Sequence, residues 1–387
     1  MVKMHLIILL NLLASLSVLA ADEESTAVSF NGQATGWGIA QWGNPVSTDF
    51  GARFVPTLQG SFNLMENTQA AFEASLNLHA SIGLSGFDFQ SKVYSLKPYR
   101  LWMRLSSEQW ELRAGLQKIN FGSAKMFRPL MWFDRMDVRD PLQLTDGVKG
   151  ILAKYFYENN ANLWIWGLIG NTQPKGYERW GSVRNKPEVG GRLELPTDQG
   201  EVAISTHFRS VNYGNLPNSV IPGFEATESR LGLDGKWDVG IGLWFEASTT
   251  HADLFSTGNS SLYPYQTMWN FGADYTLPLG HGLGVTAEYF GIHMGEQFLD
   301  NGINMHVLGS MFTYPLTLLD NLSAMVFWVP QNGQCMNYLN WGRTYDNWSL
   351  YLMAYANPSN VQLVNIQTSG RNLFAGKGIQ LMVNYNF

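Results

Sequence analysis

Cysteine, clusters of basic residues and long apolar segments are scarce in this chain. Cys335 is the single cysteine among 387 residues, which excludes an intramolecular disulfide and a zinc site built from several thiolates. The formal net charge of -6 and the lack of a cationic block offer nucleic acid no electrostatic binding surface. Beyond the N-terminal region, no apolar run is long enough to cross a membrane as a helix. We therefore exclude a helical membrane protein and a nucleic-acid partner.

The N-terminal region has the pattern of a secretory signal peptide. A lysine precedes an apolar run over residues 6–19, and two small residues, Ala20 and Ala21, follow it. A retained membrane helix is the alternative, but the run is shorter than the ~20 residues that a spanning helix needs. We predict a signal peptide over 1–20, cleaved near Ala20 or Ala21. No linker or charge block divides residues 21–387, which we predict to be one domain.

Alternation with a period of two runs through the rest of the chain. Between residues 70 and 82, apolar and polar side chains take turns, as expected for strands with two different faces. The final residues place one set of large apolar side chains on a single face: Ile379, Leu381, Val383, Tyr385 and Phe387. A strand that meets lipid only at every second residue is moderately polar on average, and the mean hydropathy is -0.11.

The segments with this alternation number about eighteen. They begin near residues 27, 51, 68, 93, 109, 147, 161, 187, 200, 225, 239, 264, 283, 303, 322, 335, 347 and 376. Tight links, such as 65–67 and 237–238, alternate with longer ones, such as 123–146 and 171–186. A β-sandwich is the alternative, but it has no reason to sort its links into two interleaved length classes.

These features predict an all-β fold, a transmembrane antiparallel up-and-down β-barrel of about 18 strands, with 16 as the alternative. The sheet must close because an open edge in hydrocarbon leaves unpaired backbone groups at several kcal/mol each. Outer-membrane barrels have short turns on the periplasmic side and longer loops outside. Because the tight links would lie on the same side as the two chain ends, we expect both termini in the periplasm. Tryptophan and tyrosine would form girdles at the two membrane interfaces.

The mature chain resembles Gram-negative outer-membrane porins, whose last strand also ends on an aromatic residue like Phe387. A looser resemblance to substrate-selective porins of the alginate-export and phosphate-selective kinds rests on Arg113-x-Gly115-x-Gln117, Phe121-Gly122, Arg128-Pro129 and Arg139-Asp140-Pro141. In those porins, a wall rich in arginine meets an inserted loop. The resemblance implies a passive water-filled channel for small polar or charged solutes, a third outside loop that folds inward, and a possible homotrimer.

The residues expected to line the constriction come from this loop and from the wall. The loop candidates are Lys125, Arg128, Asp134, Arg135, Asp137, Arg139 and Asp140, and its apolar residues from Met126 to Phe133 could anchor it. Alternation points wall candidates inward: Arg53, Arg100, Arg104, Arg113, Gln117, Glu246 and Glu288. Arginines facing glutamates across a narrow gap would create a transverse field. The alternatives are a rigid network of ion pairs with Glu73, Glu111, Glu194 or Asp234, and a loop that merely covers the mouth.

Other functions are weaker interpretations of the same sequence. His79 and Ser81 have a spacing that resembles an outer-membrane phospholipase pair, but alternation turns both away from lipid, and we predict no catalytic residue. No metal site or cofactor is predicted, because the scattered histidines offer no ligand spacing. The expected partners are outer-membrane lipid and lipopolysaccharide and a small polar solute. The main alternative to a channel is a plugged barrel that acts in surface binding or adhesion. An outer-membrane barrel hydrolase is a less favoured alternative.

Overall fold

The computed structural model describes residues 27–43, 45–213, 224–254, 263–359 and 374–387. The predicted signal peptide over 1–20 and its cleavage site lie outside the described residues. Within these ranges, every regular secondary-structure element is a strand, and no helix is present that could cross a membrane. The all-β class is confirmed.

Eighteen strands form the sheet in the described part of the chain. They are β1 (Ala27–Trp42), β2 (Ser47–Met65), β3 (Thr68–Ser85), β4 (Asp88–Ser106), β5 (Trp110–Gln117), β6 (Val148–Phe156), β7 (Asn162–Leu168), β8 (Glu188–Thr197), β9 (Gly200–Tyr213), β10 (Phe224–Asp238), β11 (Gly242–Ala252), β12 (Tyr265–Leu277), β13 (Leu283–Gly295), β14 (Ile303–Pro315), β15 (Asp320–Val329), β16 (Gln334–Thr344), β17 (Trp348–Ala356) and β18 (Lys377–Asn386). The predicted count of eighteen is confirmed.

The sheet closes on itself between its first and last strands. Every strand pairs antiparallel with its neighbours in sequence, and β1 also pairs with β18. The seam continues to the last residue, because Gly32 N–H donates to Phe387 O at 3.0 Å and Phe387 N–H donates to Gly32 O at 3.1 Å. The Phe387 ring packs against Phe30 and Phe54 at centroid distances of 5.7 Å. The closed antiparallel barrel is therefore confirmed.

The two faces of the wall differ as the alternation predicted. On β18, Ile379 and Leu381 are exposed, whereas Gln380, Met382 and Asn384, at the alternate positions, are buried. Along most other strands exposed apolar side chains also alternate with buried ones. The buried side chains are mainly polar or charged on β8 to β11, whereas those from β13 to β17 include an apolar cluster with Phe290, Phe327 and Tyr338. We call the buried face the inner face.

The wall is not equally tall all round. The strands β2, β3 and β4 have 19, 18 and 19 residues, whereas β5, β6 and β7 have 8, 9 and 7. Two long connections leave from the short strands: residues 118–147 join β5 to β6, and residues 169–187 join β7 to β8. We call them the 118–147 loop and the 169–187 loop. Most of the candidate site lies in the first of them.

Candidate pore constriction

Apolar burial fixes the 118–147 loop against the inner face. The Phe127 ring stacks on Phe290 of β13 at 5.4 Å and meets the edge of Phe327 of β15 at 5.3 Å. The loop's other anchoring residues are all buried: Met126, Leu130, Met131, Trp132 and Phe133. On the far side of the loop, Phe133 packs edge-on against Trp166 of β7 at 5.3 Å. The loop therefore contacts walls that are well separated around the barrel.

Two inner-face carboxylates hold the backbone of this loop. Ala124 N–H donates to Glu246 Oε1 at 2.7 Å, and Leu130 N–H donates to Glu246 Oε2 at 3.1 Å. Lys125 N–H donates to Glu288 Oε1 at 2.6 Å, and Phe127 N–H donates to Glu288 Oε2 at 2.8 Å. Hydrogen bonds to a charged acceptor are among the stronger ones in proteins. Both carboxylates therefore act as anchors for one turn of the loop.

Glycine is required where the loop approaches the first carboxylate. Gly122 has φ of +95°, which side chains of L-residues rarely adopt, and a Cβ there would overlap Glu246 Oε1. Glu288 is further satisfied from the wall, because Trp244 Nε1 donates to it at 3.2 Å and Asn270 Nδ2 at 3.0 Å. With only 1% and 2% of their surfaces exposed, Glu246 and Glu288 contact the loop and the wall, not open solvent.

The four wall arginines have different surroundings. Arg100 is buried and donates to two main-chain carbonyls, Tyr99 O at 2.6 Å and Thr145 O at 2.9 Å. Arg104 and Arg113 lie 3.8 and 3.0 Å from Glu111, one of the acids considered as a network partner. Two cations also lie near tryptophan rings, with Arg113 4.7 Å from the Trp102 centroid and Arg53 5.8 Å from the Trp37 centroid. These side chains belong to the wall between β1 and β5.

Several charged residues of the 118–147 loop form ion pairs, either within the loop or with the wall. Arg128 lies 3.5 Å from Asp134, Arg139 lies 2.7 Å from Asp137, and Lys125 lies 2.6 Å from Asp274 of β12. The guanidinium of Arg135 donates to Pro174 O, and Leu142 N–H donates to Asp140 at 2.9 Å. At the base of the loop, Gln117 donates to Arg113 O and Gly150 O at 3.2 Å. Burial raises the pKa of both Asp134 and Asp140.

A cavity of about 650 Å³ lies between this loop and the wall from β14 to β17. The loop side carries four cations and one acid: Lys118, Lys125, Arg128, Arg139 and Asp140. The wall side is uncharged and mainly polar: Thr313, Asn321, Ser323, Asn340 and Tyr351 line it together with Met311 and Met325. Of the predicted site residues, the structure thus brings Lys125, Arg128, Arg139 and Asp140 together on one surface.

Lys118 is the cavity residue that sequence reasoning missed. Continuing the alternation from Arg113 and Gln117 would place Lys118 on the outer face, but the chain leaves the sheet at this position. Among the described residues, no carboxylate lies within ion-pair distance of Lys118. Burial and the nearby Arg128 and Arg100 lower the pKa of Lys118, although Asp134 opposes this.

The structure also shows the surroundings of the histidine considered for catalysis and of the groups that could bind a metal. The His79 ring stacks on Trp37 with a centroid distance of 5.3 Å. In the described ranges, no group of three or more His, Cys, Asp or Glu side chains is arranged to hold a metal ion.

Comparison with known proteins identifies the fold. The structure of OccAB2 from Acinetobacter baumannii matches with a TM-score of 0.55 at 9% identity, covering 93% of this chain and 98% of that one. OccAB4 from the same organism matches with a TM-score of 0.54 at 11% identity, covering 94% and 99%. The chain forms a porin-type barrel.

A third structure with this architecture is Wzi from Escherichia coli, described as a carbohydrate-binding β-barrel involved in group 1 capsule assembly. It matches with a TM-score of 0.51 at 14% identity, covering 98% of this chain and 87% of that one. No family model and no curated protein matches the sequence. At these identities the porin-type likeness establishes the fold alone, and function has to be argued from the site.

Proposed function

We propose that this protein is an outer-membrane channel for the passive diffusion of small polar or charged solutes, narrowed by the 118–147 loop folded into the lumen. The observation that carries the proposal is the contact of Glu246 and Glu288 with the loop backbone on the inner face. A loop that only covered the mouth would not need buried carboxylates on β11 and β13. The cavity on the other side of the loop then forms the solute path.

The lining of this cavity favours anions. Asp134, Asp137 and Asp274 pair with three of the cations, and Asp140 offsets the charge of Lys118. Of these four acids only Asp140 lines the cavity, so a solute meets all four cations directly while three of the acids lie behind them. Low-dielectric walls strengthen the field of such charges on a solute in a narrow gap. The uncharged hydroxyl and amide groups opposite can hydrogen-bond to a polar solute as it sheds water.

The candidate residues keep their proposed location in or beside the lumen. They are Arg53, Arg100, Arg104, Arg113, Gln117, Lys125, Arg128, Asp134, Arg135, Asp137, Arg139, Asp140, Glu246 and Glu288. Within this set, we assign Glu246 and Glu288 to holding the loop and the cavity-lining cations to contact with solute. The field proposed across the pore then acts between the loop and an uncharged wall.

We further propose that both chain ends lie in the periplasm, with the two long loops on the cell-surface side. The apolar outer face would be covered by lipid, with lipopolysaccharide in the outer leaflet, and a homotrimer would bury part of this face. Chemical cross-linking of the detergent-extracted protein tests the trimer: a ladder that ends at three copies supports it, and monomer alone contradicts it.

A barrel that binds a ligand without conducting is the second candidate. It is favoured by the burial of much of the 118–147 loop and of Tyr177 and Ser182 in the 169–187 loop, and the likeness to Wzi adds a carbohydrate as a candidate ligand. Planar-bilayer recording separates the two functions. A steady conductance with a reversal potential that indicates anion preference supports the channel, whereas the absence of conductance supports the plugged barrel.

The site assignment has its own test in the same assay. Arg128→Gln should lower the anion-to-cation permeability ratio, because it removes a cation from the cavity surface. The control is Lys186→Gln, which removes an exposed lysine paired with Glu225 away from the cavity. Equal ratios in both variants and the unmodified protein would remove Arg128 from the solute path.

A further inference from the structure

A buried cluster of four charges ties the 169–187 loop to the barrel wall. Glu178 of this loop lies 2.9 Å from Arg209 of β9 and 2.7 Å from Arg230 of β10. Both arginines also lie 2.6 Å from Glu228 of β10. The four side chains have at most 6% of their surface exposed, so that two positive and two negative charges balance away from water. Such a balance is needed because an unpaired buried charge is strongly unfavourable.

The same glutamate shapes a turn that contacts the 118–147 loop. Lys175 N–H donates to Glu178 Oε2 at 2.7 Å, and Glu178 N–H donates to Lys175 O at 2.7 Å. Within this turn, Gly176 N–H donates to Asp134 O of the 118–147 loop at 2.8 Å. Gly176 has φ of +43°, and a Cβ there would overlap Met131 O. The two loops are therefore in direct backbone contact.

Side chains reinforce the contact between the loops. Arg135 of the 118–147 loop donates to Pro174 O in the turn, and the Arg230 guanidinium lies 5.9 Å from the centroid of the Trp132 ring. The wall supports the turn from behind, because Gln266 of β12 donates to Tyr177 O at 3.1 Å. A continuous set of contacts thus runs from the wall arginines through the turn to the constriction loop.

We propose that the turn over residues 174–178 is a positioning element for the 118–147 loop, and that Glu178, held by Arg209 and Arg230, is the latch that keeps it in place. Without the Glu178 charge, two buried arginines would share Glu228, and the turn would lose its charged attachment to the wall. The constriction loop would then lose its support at Asp134 and Met131. In the proposed channel, this looseness would be observed as fluctuation of the open pore.

Single-channel recording of Glu178→Gln tests the latch. Losing one hydrogen bond to a charged group should raise the population of the displaced loop by about tenfold. We expect frequent subconductance steps in this variant. The matched control is Glu225→Gln, which removes the same charge from an exposed pair between β10 and the end of the same loop. A record like that of the unmodified protein in Glu178→Gln would overturn the proposal.

The double variant Glu178→Gln/Arg230→Gln separates the latch from simple charge imbalance. It leaves Arg209 paired with Glu228, so that no buried charge is unbalanced, yet the attachment between loop and wall is gone. Subconductance steps in the double variant support the latch, and their return to the unmodified level overturns it. If Glu178→Gln alone does not fold, single-channel recording of the double variant still tests the latch.

Limited trypsin digestion gives a readout that does not depend on conduction. The latch rests on the proposed channel function only for the expected subconductance steps. The contact between the loops can also be tested in a barrel that does not conduct. Faster cleavage after Arg135 in Glu178→Gln than in Glu225→Gln is the expected result. Equal cleavage rates would refute the latch even if the channel function holds, and a silent bilayer with faster cleavage would refute the channel alone.

Discussion

The walls of β11 and β13 and the walls of β4 and β5 present the same alternation but use their inward charges differently. Glu246 and Glu288 on the first pair are covered by loop N–H groups. On the second pair, the side chains of Arg104 and Arg113 remain 28% and 19% exposed and pair with Glu111. The path of a loop, not the strand pattern, therefore decides whether an inward charge anchors the backbone or faces the lumen.

Removing the charge of Glu288 should release the loop from this part of the wall. Of the changes considered, we expect it to have the largest effect on conductance. Glu288→Gln replaces a carboxylate that accepts from three consecutive loop N–H groups, and hydrogen bonds to charged groups contribute ~1.5–3 kcal/mol each. We expect the loop to detach and the single-channel conductance to rise. Glu201→Gln, which removes a carboxylate paired with the exposed Lys236, is the control. An unchanged conductance in Glu288→Gln would contradict the anchoring role.

Loss of the apolar anchor of the 118–147 loop should have the second-largest effect, which is on thermal stability. Phe127→Ala removes a buried ring between Phe290 and Phe327, and such truncations cost roughly 3–5 kcal/mol. Thermal unfolding in detergent should show a lower midpoint than for Phe89→Ala, whose ring is 61% exposed on the tall part of the wall. Equal midpoints would mean that the ring contributes no packing energy.

Lys118 should make the selectivity of the proposed channel depend on pH. Because burial lowers its pKa, Lys118 loses its charge at a lower pH than an ordinary lysine, so anion preference should fall as the pH rises through that region. Lys118→Gln should lower the permeability ratio at neutral pH by a factor of about five, corresponding to ~1 kcal/mol for one charge near the solute.

Two control variants complete this test. Lys118→Arg should keep the anion preference at high pH, because guanidinium stays protonated. Lys149→Gln, which removes an exposed lysine on the outer face of β6, should leave the ratio unchanged. A pH profile of Lys118→Gln that matches the unmodified protein would exclude Lys118 from the solute path.

The smallest expected effect on selectivity is that of Asp140, the one acid on the cavity surface among the described residues. Burial raises its pKa, so as the pH falls, Asp140 becomes neutral earlier than an aspartate in water, whose pKa is about 3.9. The cavity surface then becomes more positive, and anion preference should increase on acidification. Asp140→Asn should already show the increased preference at neutral pH and a flatter acid profile. Reversal potentials at a series of pH values measure both.

Alternation along the chain was sufficient to predict the fold, because successive side chains of a barrel strand face two different environments in turn. The predicted start near 283 coincides with Leu283 of β13. The largest difference is at β4, which begins at Asp88 instead of near 93. Residues 88–98 are exposed on both faces, so no contrast between apolar and polar positions marks where this strand begins.

The contacts of the site were less accessible to sequence reasoning. Alternation pointed Glu246 and Glu288 inward, but their partners are backbone N–H groups of Ala124 and Lys125, more than a hundred residues away. Backbone donors have no sequence signature. The latch residue Glu178 was missed for a related reason, since a lone glutamate in a loop does not reveal that Arg209 and Arg230 converge on it.

The low wall formed by β5, β6 and β7 has a consequence for the surrounding bilayer. A tilted transmembrane strand needs about 9–11 residues to match the hydrocarbon thickness, and these three have 8, 9 and 7. In a membrane, β5 and β7 are therefore shorter than the hydrocarbon thickness and β6 only just reaches it, so lipid beside this part of the wall would thin, whereas lipid beside β2 to β4 would not. The protein would therefore compress the acyl chains on one side of the barrel only.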